Sequence, residues 1–303
     1  MTIRTHSTIR FLFIVLIGLT CKAHAQESSF YEFDVIAQSG GVDGSSNTIS
    51  SFNSNSVSLN NSGVVAFVAT NNLGQSLYIG DGTGPPTIIS FAIPSGTRTF
   101  HSGVQINNEN RVVARDRASG TSLIRIWEGD SPGTSLTVVR GNINGGSQAF
   151  PAAYSSVFSH PSISNAPGAG NDPMVVFSAL DIDLSLPDTV LASPSELGET
   201  NRFNFFEVQL ETPLRPMVAD DGSVVVRQGN LTSDPIVVYN AFFSAFETIA
   251  DLGFSAVGNS PGISDDGVAV AFSAVHADGD QGIWVNIRID ESNRDEIQVA
   301  GSG

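Results

Sequence analysis

The sequence predicts an all-β repeat protein, read first as a five-bladed β-propeller, with an open β-solenoid or a partial propeller as the alternative. Three observations predict it. One short segment recurs five times along 303 residues. Each copy lies among apolar runs that are short and β-branched, as in strands. No apolar stripe at a 3.6-residue period persists, while Gly, Ser, Asn and Thr are frequent throughout.

The recurring segment is Val57-Ser58-Leu59-Asn60-Asn61-Ser62-Gly63 leading into VVAF, then Val104-Gln105-Ile106-Asn107-Asn108-Glu109-Asn110 leading into RVVA. The third copy is Pro161-Ser162-Ile163-Ser164-Asn165, with a longer turn before MVVF. The fourth is Pro216-Met217-Val218-Ala219-Asp220-Asp221-Gly222 before SVVV, and the fifth Pro261-Gly262-Ile263-Ser264-Asp265-Asp266-Gly267 before VAVAF. Asn61, Asn108, Asn165, Asp220 and Asp265 share one position, at steps of 47, 57, 55 and 45 residues. Repeat architectures have periods of about 20 to 50 residues or slightly more.

Each copy reads as a hairpin. A short alternating strand comes first. Asn or Asp with Gly or Asn then supplies a tight turn with positive φ, and a β-branched run follows, dense enough to be buried on both faces. The recurring Asn and Asp are therefore assigned to turn chemistry and not to a ligand. A further alternating run follows the hairpin, at residues 76–79, 123–127, 235–239 and 282–285. Another precedes it, at 34–37, 87–89, 137–139, 189–191 and 248–250, with a sixth copy at 297–300. That copy is either a strand closing a ring or the start of a further repeat. Four strands per unit is the content of one propeller blade. Residues 141–159 and 180–200 are insertions between strands. Ser193-Pro194-Ser195-Glu196 within them is a capping box able to start one helical turn.

The segment Asn60-x-x-Gly63-x-x-Ala66-Phe67 resembles the signature of a family of secreted bacterial tandem-repeat proteins with an N-x-x-G-x-x-A-F repeat and varied C-terminal anchors. The likeness covers residues 33–288. The first copy keeps the full signature. The second has Ala114-Arg115 in place of Ala-Phe. The fourth and fifth have Ala219 and Ser264 at the first position, and the fifth carries one extra residue before Ala271-Phe272. The third lacks the tight turn. The resemblance implies export and a β-rich repeat, with no established catalysis. It also implies a surface-sorting tail. Residues 294–303 show neither an apolar tail nor a basic cluster, so a released protein or a shortened member is expected.

Residues 1–25 read as a signal peptide. Arg4 and Arg10 precede an apolar run at 11–20, which has h-region length and is too short to span a bilayer. Ala23-His24-Ala25 is a small-x-small cleavage site, so residues 26–303 form the mature chain, a single β-repeat domain with about five repeats. Gly18-Leu19-Thr20 fits a lipidation site at Cys21 poorly. Cys21 is the sole cysteine, so the mature chain has no disulfide and depends on core packing. No later stretch has transmembrane length. Net charge is −16, and loss of the leader's three cations leaves 11 basic groups against 30 acidic ones. Such a surface lacks the clustered cations that bind nucleic acid. With 41% hydrophobic and 15% charged residues, the chain is expected to fold rather than stay disordered.

Motifs for chemistry fail on physical grounds. Gly258-Asn259-Ser260-Pro261-Gly262 matches the G-x-S-x-G elbow, but that elbow needs an N–H after Ser and a helix, and Pro261 supplies neither. His101, His160 and His276 lack metal-ligand spacing. Asp278-Gly279-Asp280-Gln281-Gly282 and Asp181-Ile182-Asp183 carry oxygens suited to Ca²⁺. Counted as an EF-hand from Asp278, however, position twelve is Ile289, so an acidic hairpin turn is the simpler reading. Gly80-Asp81-Gly82-Thr83-Gly84-Pro85 is a turn-rich connector that opens no helix. Asn60-Asn61-Ser62 and Asn230-Leu231-Thr232 match glycosylation sequons. Asp265 and Asp266 are placed by the turn. Trp127 and Trp284 each end a repeat strand and belong to blade cores, although with Tyr154 they are the aromatics a sugar binder would present.

The sequence thus predicts a bacterial secreted, periplasmic or cell-surface protein that is non-enzymatic and presents loops for binding or surface association. Its partner would be an extracellular polysaccharide or protein. No catalytic residue, no metal residue and no cofactor is assigned. The alternatives are a carbohydrate-active enzyme with acids converging at the propeller channel, and a structural envelope protein.

Overall fold

Alternating and β-branched runs become strands throughout. The structure, a computed structural model, describes residues 35–90, 98–118, 121–140, 154–157, 160–167, 173–181, 187–192, 201–203, 215–227, 235–240, 245–250, 253–258, 260–288 and 294–302. The predicted leader, the capping box at 193–196, the sequon at Asn230, Asp183 and most of the two insertions lie outside the described residues. The described residues contain no helix, and so none long and apolar enough to cross a membrane.

The strands form five antiparallel sheets, each from one contiguous stretch of chain. Sheet 1 holds β1 (Ile49–Leu59), β2 (Val65–Asn71), β3 (Gly74–Gly80) and β4 (Thr87–Ser90) in that order. Sheet 2 holds β5 (Arg98–Ile106), β6 (Arg111–Ala118), β7 (Thr121–Glu128) and β8 (Ser135–Arg140). Sheet 3 holds β9 (Tyr154–Val157), β10 (Ser162–Pro167), β11 (Pro173–Asp181), β12 (Pro187–Ala192) and β13 (Asn201–Phe203). Sheet 4 holds β14 (Met217–Val218), β15 (Val224–Arg227), β16 (Ile236–Asn240) and β17 (Ala245–Ala250). Sheet 5 holds β18 (Phe254–Val257), β19 (Gly262–Ile263), β20 (Ala269–His276), β21 (Gln281–Arg288) and β22 (Arg294–Ser302). The inner strand is bulged in sheets 1 and 2, with register shifts at Phe52/Val57 and Phe100/Val104. In sheets 3 and 5 it is broken into two pieces that pair with one neighbour.

Three expected runs sit elsewhere than the sequence reading places them. Residues 189–191 lie in β12, the third strand of sheet 3, whose fourth strand is β13. Residues 35–37 form no strand. Residues 297–300 lie in β22, paired along β21 as sheet 5's own last strand. A three-residue apolar run carries no information about its partner, so sequence alone could not order these strands.

The two-faced hydrophobicity of each second strand explains the packing. Ala66 and Val68 face sheet 2, meeting Phe100, Val104, Ile106, Val112, Ala114 and Trp127. Val113, Ile124, Ile126 and Val138 of sheet 2 meet Ile163, Val175 and Phe177 of sheet 3. Val176 packs on Val218, Val224, Val226 and Val237 of sheet 4. Val225, Ile236 and Val238 then meet Val257, Val270 and Phe272 of sheet 5. The sheets therefore stack face to face round one axis, which is a β-propeller.

No buried cluster among the described residues joins sheet 5 to sheet 1. Ile106, Ile163 and Val218 are each 7% exposed, whereas their counterpart Leu59 is 65% exposed. Ile283, Ile297 and Val299 are exposed on the last two strands. The other face of sheet 1, with Phe67, Ala69, Tyr78 and Ile88, is covered in part by Ile36 and Ala37. Asp43 fastens the 36–48 segment there. Its carboxylate accepts from Ser45 and Asn47 N–H, and Tyr78 Oη donates to it at 3.3 Å while accepting from Asn71 Nδ2 at 2.8 Å. Burial, with the neighbouring Asp43 charge, pushes the Tyr78 phenol up to about 12.

Candidate functional site: the propeller axis

The recurring positions Asn61, Asn108, Asn165, Asp220 and Asp265 meet at one end of the axis. In each tight turn the last position takes positive φ: 83° at Gly63, 60° at Asn110, 86° at Gly222 and 71° at Gly267. Asn60 Oδ1 accepts from Ser62 and Val64 N–H, and Asn107 Oδ1 from Glu109 and Arg111 N–H. These are the Asx turns that the Asn and Asp grammar predicts. In the third and fifth copies Ser164 and Ser264 Oγ accept from Met174 and Ala269 N–H. Ala219 has no such oxygen, and Asp221 Oδ1 accepts from Ser223 N–H instead.

The next position does something the sequence reading missed. Asn61 N–H donates to Asn108 Oδ1 at 2.9 Å, and Asn108 N–H to Asn165 Oδ1 at 2.8 Å. Asn165 N–H donates to Asp220 Oδ1 at 2.6 Å, and Asp220 N–H to the Asp265 carbonyl at 2.8 Å. The recurring Asn and Asp therefore bolt each inner strand to the next sheet. Asn60 and Asn107 Nδ2 reinforce this by donating to the carbonyls of Asn107 and Ser164. Ile106 and Val218 N–H donate to Ser58 and Ser162 Oγ at the same level. The periodic spacing was the available signal for these links. Asn60 is buried and fully used here, which removes it as a glycosylation acceptor.

A cavity of about 180 Å³ lies inside this ring, lined by Asn61, Asn108, Asn165, Met217 and Asp265 among others. Burial pushes the Asp265 carboxyl above the usual carboxylate range, and the Asp220 charge pushes the same way. The Asn165 amide opposes both by donating to it, and Asp266 adds a smaller upward push. A raised folded pKa supplies stability below the unfolded value near 3.8, and this is lost as pH rises through the folded one. Asn already fills this position in the first three copies. Asp265→Asn is therefore expected to raise the urea midpoint at pH 7 and to leave it nearly unchanged at pH 3.5.

A second cavity of about 300 Å³ lies at the opposite end of the inner strands. Its lining includes Gly103, Gln105, His160, Arg215, Met217 and Ser260. Gln105 Nε2 contacts Met217 Sδ at 2.8 Å across the axis. Gly103 has a φ of +97°, and a Cβ there would overlap the His160 ring. Glycine is thus needed twice over at this bulge, for backbone and for space.

Trp127, Trp284, His276, Asp278 and Asp81 line neither cavity. Trp127 is buried edge-on against Phe100 at 5.7 Å. Trp284 is half-buried, 5.2 Å from Phe254 and stacked on His276 at 5.5 Å. The side chains of Tyr154, His101 and Asp181 lie outside the described residues. His276 Nδ1 is 2.8 Å from Asp278 Oδ1, an ion-pair geometry when the imidazole is protonated. Asp278 also accepts from Asp280 N–H in the β20–β21 turn, where Gly279 has a φ of 101°. His276 and the Asp280 N–H hold the Asp278 carboxyl below its ordinary value. Asp81 accepts from Thr83 within the connector before β4. Ser260 is exposed, and Pro261 beside it leads into a strand, β19, where an elbow would require a helix. The described residues hold no group of three His, Cys, Asp or Glu side chains placed to bind a metal.

No protein-family model matches the chain, and no curated protein matches it. Solved structures do. TolB from Acinetobacter baumannii matches with a TM-score of 0.52 at 15% identity, over 78% of this chain and 53% of that one. A protein assigned as TolB in Agrobacterium tumefaciens matches with a TM-score of 0.50 at 15% identity, over 82% and 81%. A puromycin hydrolase S511A mutant complexed with PGG matches with a TM-score of 0.55 at 10% identity, over 88% and 40%. The chain thus spans about half of the first of these proteins and less of the hydrolase. At such identities the likeness is one of fold.

Proposed function

We propose that the chain is an exported, non-enzymatic binding scaffold. Its five sheets act as the blades of one five-bladed propeller, and it is a member of the N-x-x-G-x-x-A-F repeat family. The observation that carries this reading is the set of links from Asn61 through Asn108, Asn165 and Asp220 to Asp265. They join five inner strands into a rigid frame with a cavity at each end, and such a frame suits presentation of ligand contacts. The partner is an extracellular polysaccharide or protein. Asp220 beside Asp265 is the acid pair at the axis that a glycoside-processing reading would use. Both are engaged in the frame, Asp220 by Asn165 N–H and Asp265 by the Asn165 amide, which favours binding over hydrolysis.

The test expresses the whole chain with its own leader. Recovery outside the cytoplasm with Gln26 at the N-terminus is expected. The product is then run through gels holding neutral or acidic polysaccharides, with Ca²⁺ and with chelator, and stained for substrate loss. Selective retardation without clearing is the expected result. Clearing of a polysaccharide would overturn the non-enzymatic reading, and absence of any retardation would remove polysaccharide as the partner.

A further inference from the structure

We propose that the cavity at the Arg215 end of the axis binds a small organic carboxylate. Five residues before each ring member stand Ser56, Gly103, His160, Arg215 and Ser260. Gly103, His160, Arg215 and Ser260 line one cavity and Asn61, Asn108, Asn165 and Asp265 the other, so the two sets belong to opposite ends of the inner strands. The ring end repeats one residue type because it builds the frame. The other end repeats nothing: hydrogen, imidazole, guanidinium and hydroxyl line the cavity in the second to fifth copies, while in the first Ser56 is buried and Asn55 and Val57 line it instead. The turn grammar does not require this variety. It instead makes an asymmetric surface out of a symmetric frame, as recognition of an asymmetric small molecule demands.

The chemistry of that surface is cationic. The chain has 14 Lys and Arg against 30 Asp and Glu, yet Arg215 lines a cavity whose described lining contains no carboxylate. Three other arginines among the described residues are held by acids or carbonyls: Arg111 by Glu109 and Glu128, Arg288 by Glu247, and Arg227 by the Val257 carbonyl. Arg215 is half-buried, and its planar fork pairs with a carboxylate through two parallel hydrogen bonds. His160 lies across Gly103, whose missing Cβ lets the ring approach, and Gln105 and Asn55 add polar atoms round the same space. Acids stand at the opposite end, with Asp265 lining the ring cavity, so the axial field draws an anion towards Arg215. About 300 Å³ accommodates a ligand the size of one sugar acid.

The proposal stands without the polysaccharide reading, and a separate experiment tests it. The intact exported protein is titrated calorimetrically at low salt with glucuronate, glucose and inorganic phosphate. Glucuronate and glucose share a ring and differ in the carboxylate. Glucuronate is expected to bind at least tenfold tighter than glucose and than phosphate. Arg215→Gln should abolish that preference, and Arg215→Lys should keep part of it by retaining charge without the fork. Arg111→Gln, outside the cavity, should leave it intact, with circular dichroism confirming that each variant is folded. The proposal is overturned by equal affinity for glucuronate and glucose, by no glucuronate binding, by phosphate matching glucuronate, or by a preference that survives Arg215→Gln.

Discussion

Trp127→Ala is expected to lower the free energy of unfolding by about 3–5 kcal/mol, the range for emptying a buried aromatic site. The indole is 1% exposed and sits in the cluster that joins sheets 1 and 2. Its neighbours there are β-branched strand residues such as Val112 and Ile106, whose backbones are fixed by pairing and cannot collapse into the void. The edge-on Phe100 contact adds about 0.5–1.5 kcal/mol beyond area burial. Trp284→Ala is expected to cost less, because that ring is half-buried at the margin of the sheet 4–sheet 5 cluster. Each variant leaves one tryptophan, so fluorescence reports the remaining interface during urea unfolding. A Trp127→Ala loss under about 1 kcal/mol would contradict a packing role. A ligand-stacking role would instead show as lost binding with stability intact.

The fold is legible in the sequence through one feature, and the reason is physical. A turn with positive φ accepts few residue types, and its orphan N–H groups call for a side-chain oxygen. Asn60, Asn107, Ser264 and the Gly or Asn that close each turn therefore leave a mark at fixed offsets. Strand pairing leaves no comparable mark. Residues 189–191 and 87–89 both read as Thr followed by two aliphatics, yet one lies in a third strand and the other in a fourth. The exposure of Leu59 was equally hidden: Leu59 and Ile106 are interchangeable by composition, yet among the described residues one is exposed and the other buried. Asp43 looked like one acid among 30, because the Tyr78 and Asn71 it meets are 35 and 28 residues away.

The candidate site was legible only as a periodicity. Local turn chemistry accounts for Asn60, and by sequence alone it accounts equally for Asn61 beside it. Asn61 N–H in fact donates 47 residues ahead. A contact between equivalent positions of successive repeats leaves the same trace as the repeat itself, so spacing cannot separate the two roles. The cation end was invisible for the opposite reason. His160 and Arg215 share a repeat position but not a residue type, and alignment by likeness passes over them.

Asn107→Ala follows from this double use, and its expected cost is about 2–4 kcal/mol from one exchange of a polar side chain. Asn107 is 1% exposed. Its Oδ1 accepts from Glu109 N–H at 3.1 Å and Arg111 N–H at 2.9 Å, while Nδ2 donates to the Ser164 carbonyl at 3.1 Å. Alanine removes three bonds at once and leaves two donors and an acceptor without their partners. Each group left unsatisfied where water is excluded costs about 1–3 kcal/mol, and the turn's own exposure to water keeps the total toward the lower end. Asn107→Ser is the informative companion. Ser164 and Ser264 fill this position in the third and fifth copies and cap their hairpins through Oγ. Serine at 107 should therefore restore the local cap while leaving the Ser164 carbonyl unpaired. About half of the loss should return, and the remainder measures the link between sheets 2 and 3. Urea unfolding of the three proteins separates the contributions. Complete rescue by serine would show that the cross-sheet bond adds nothing. No rescue would show that the turn is held by its backbone, and that Asn recurs here for the sake of the neighbouring blade.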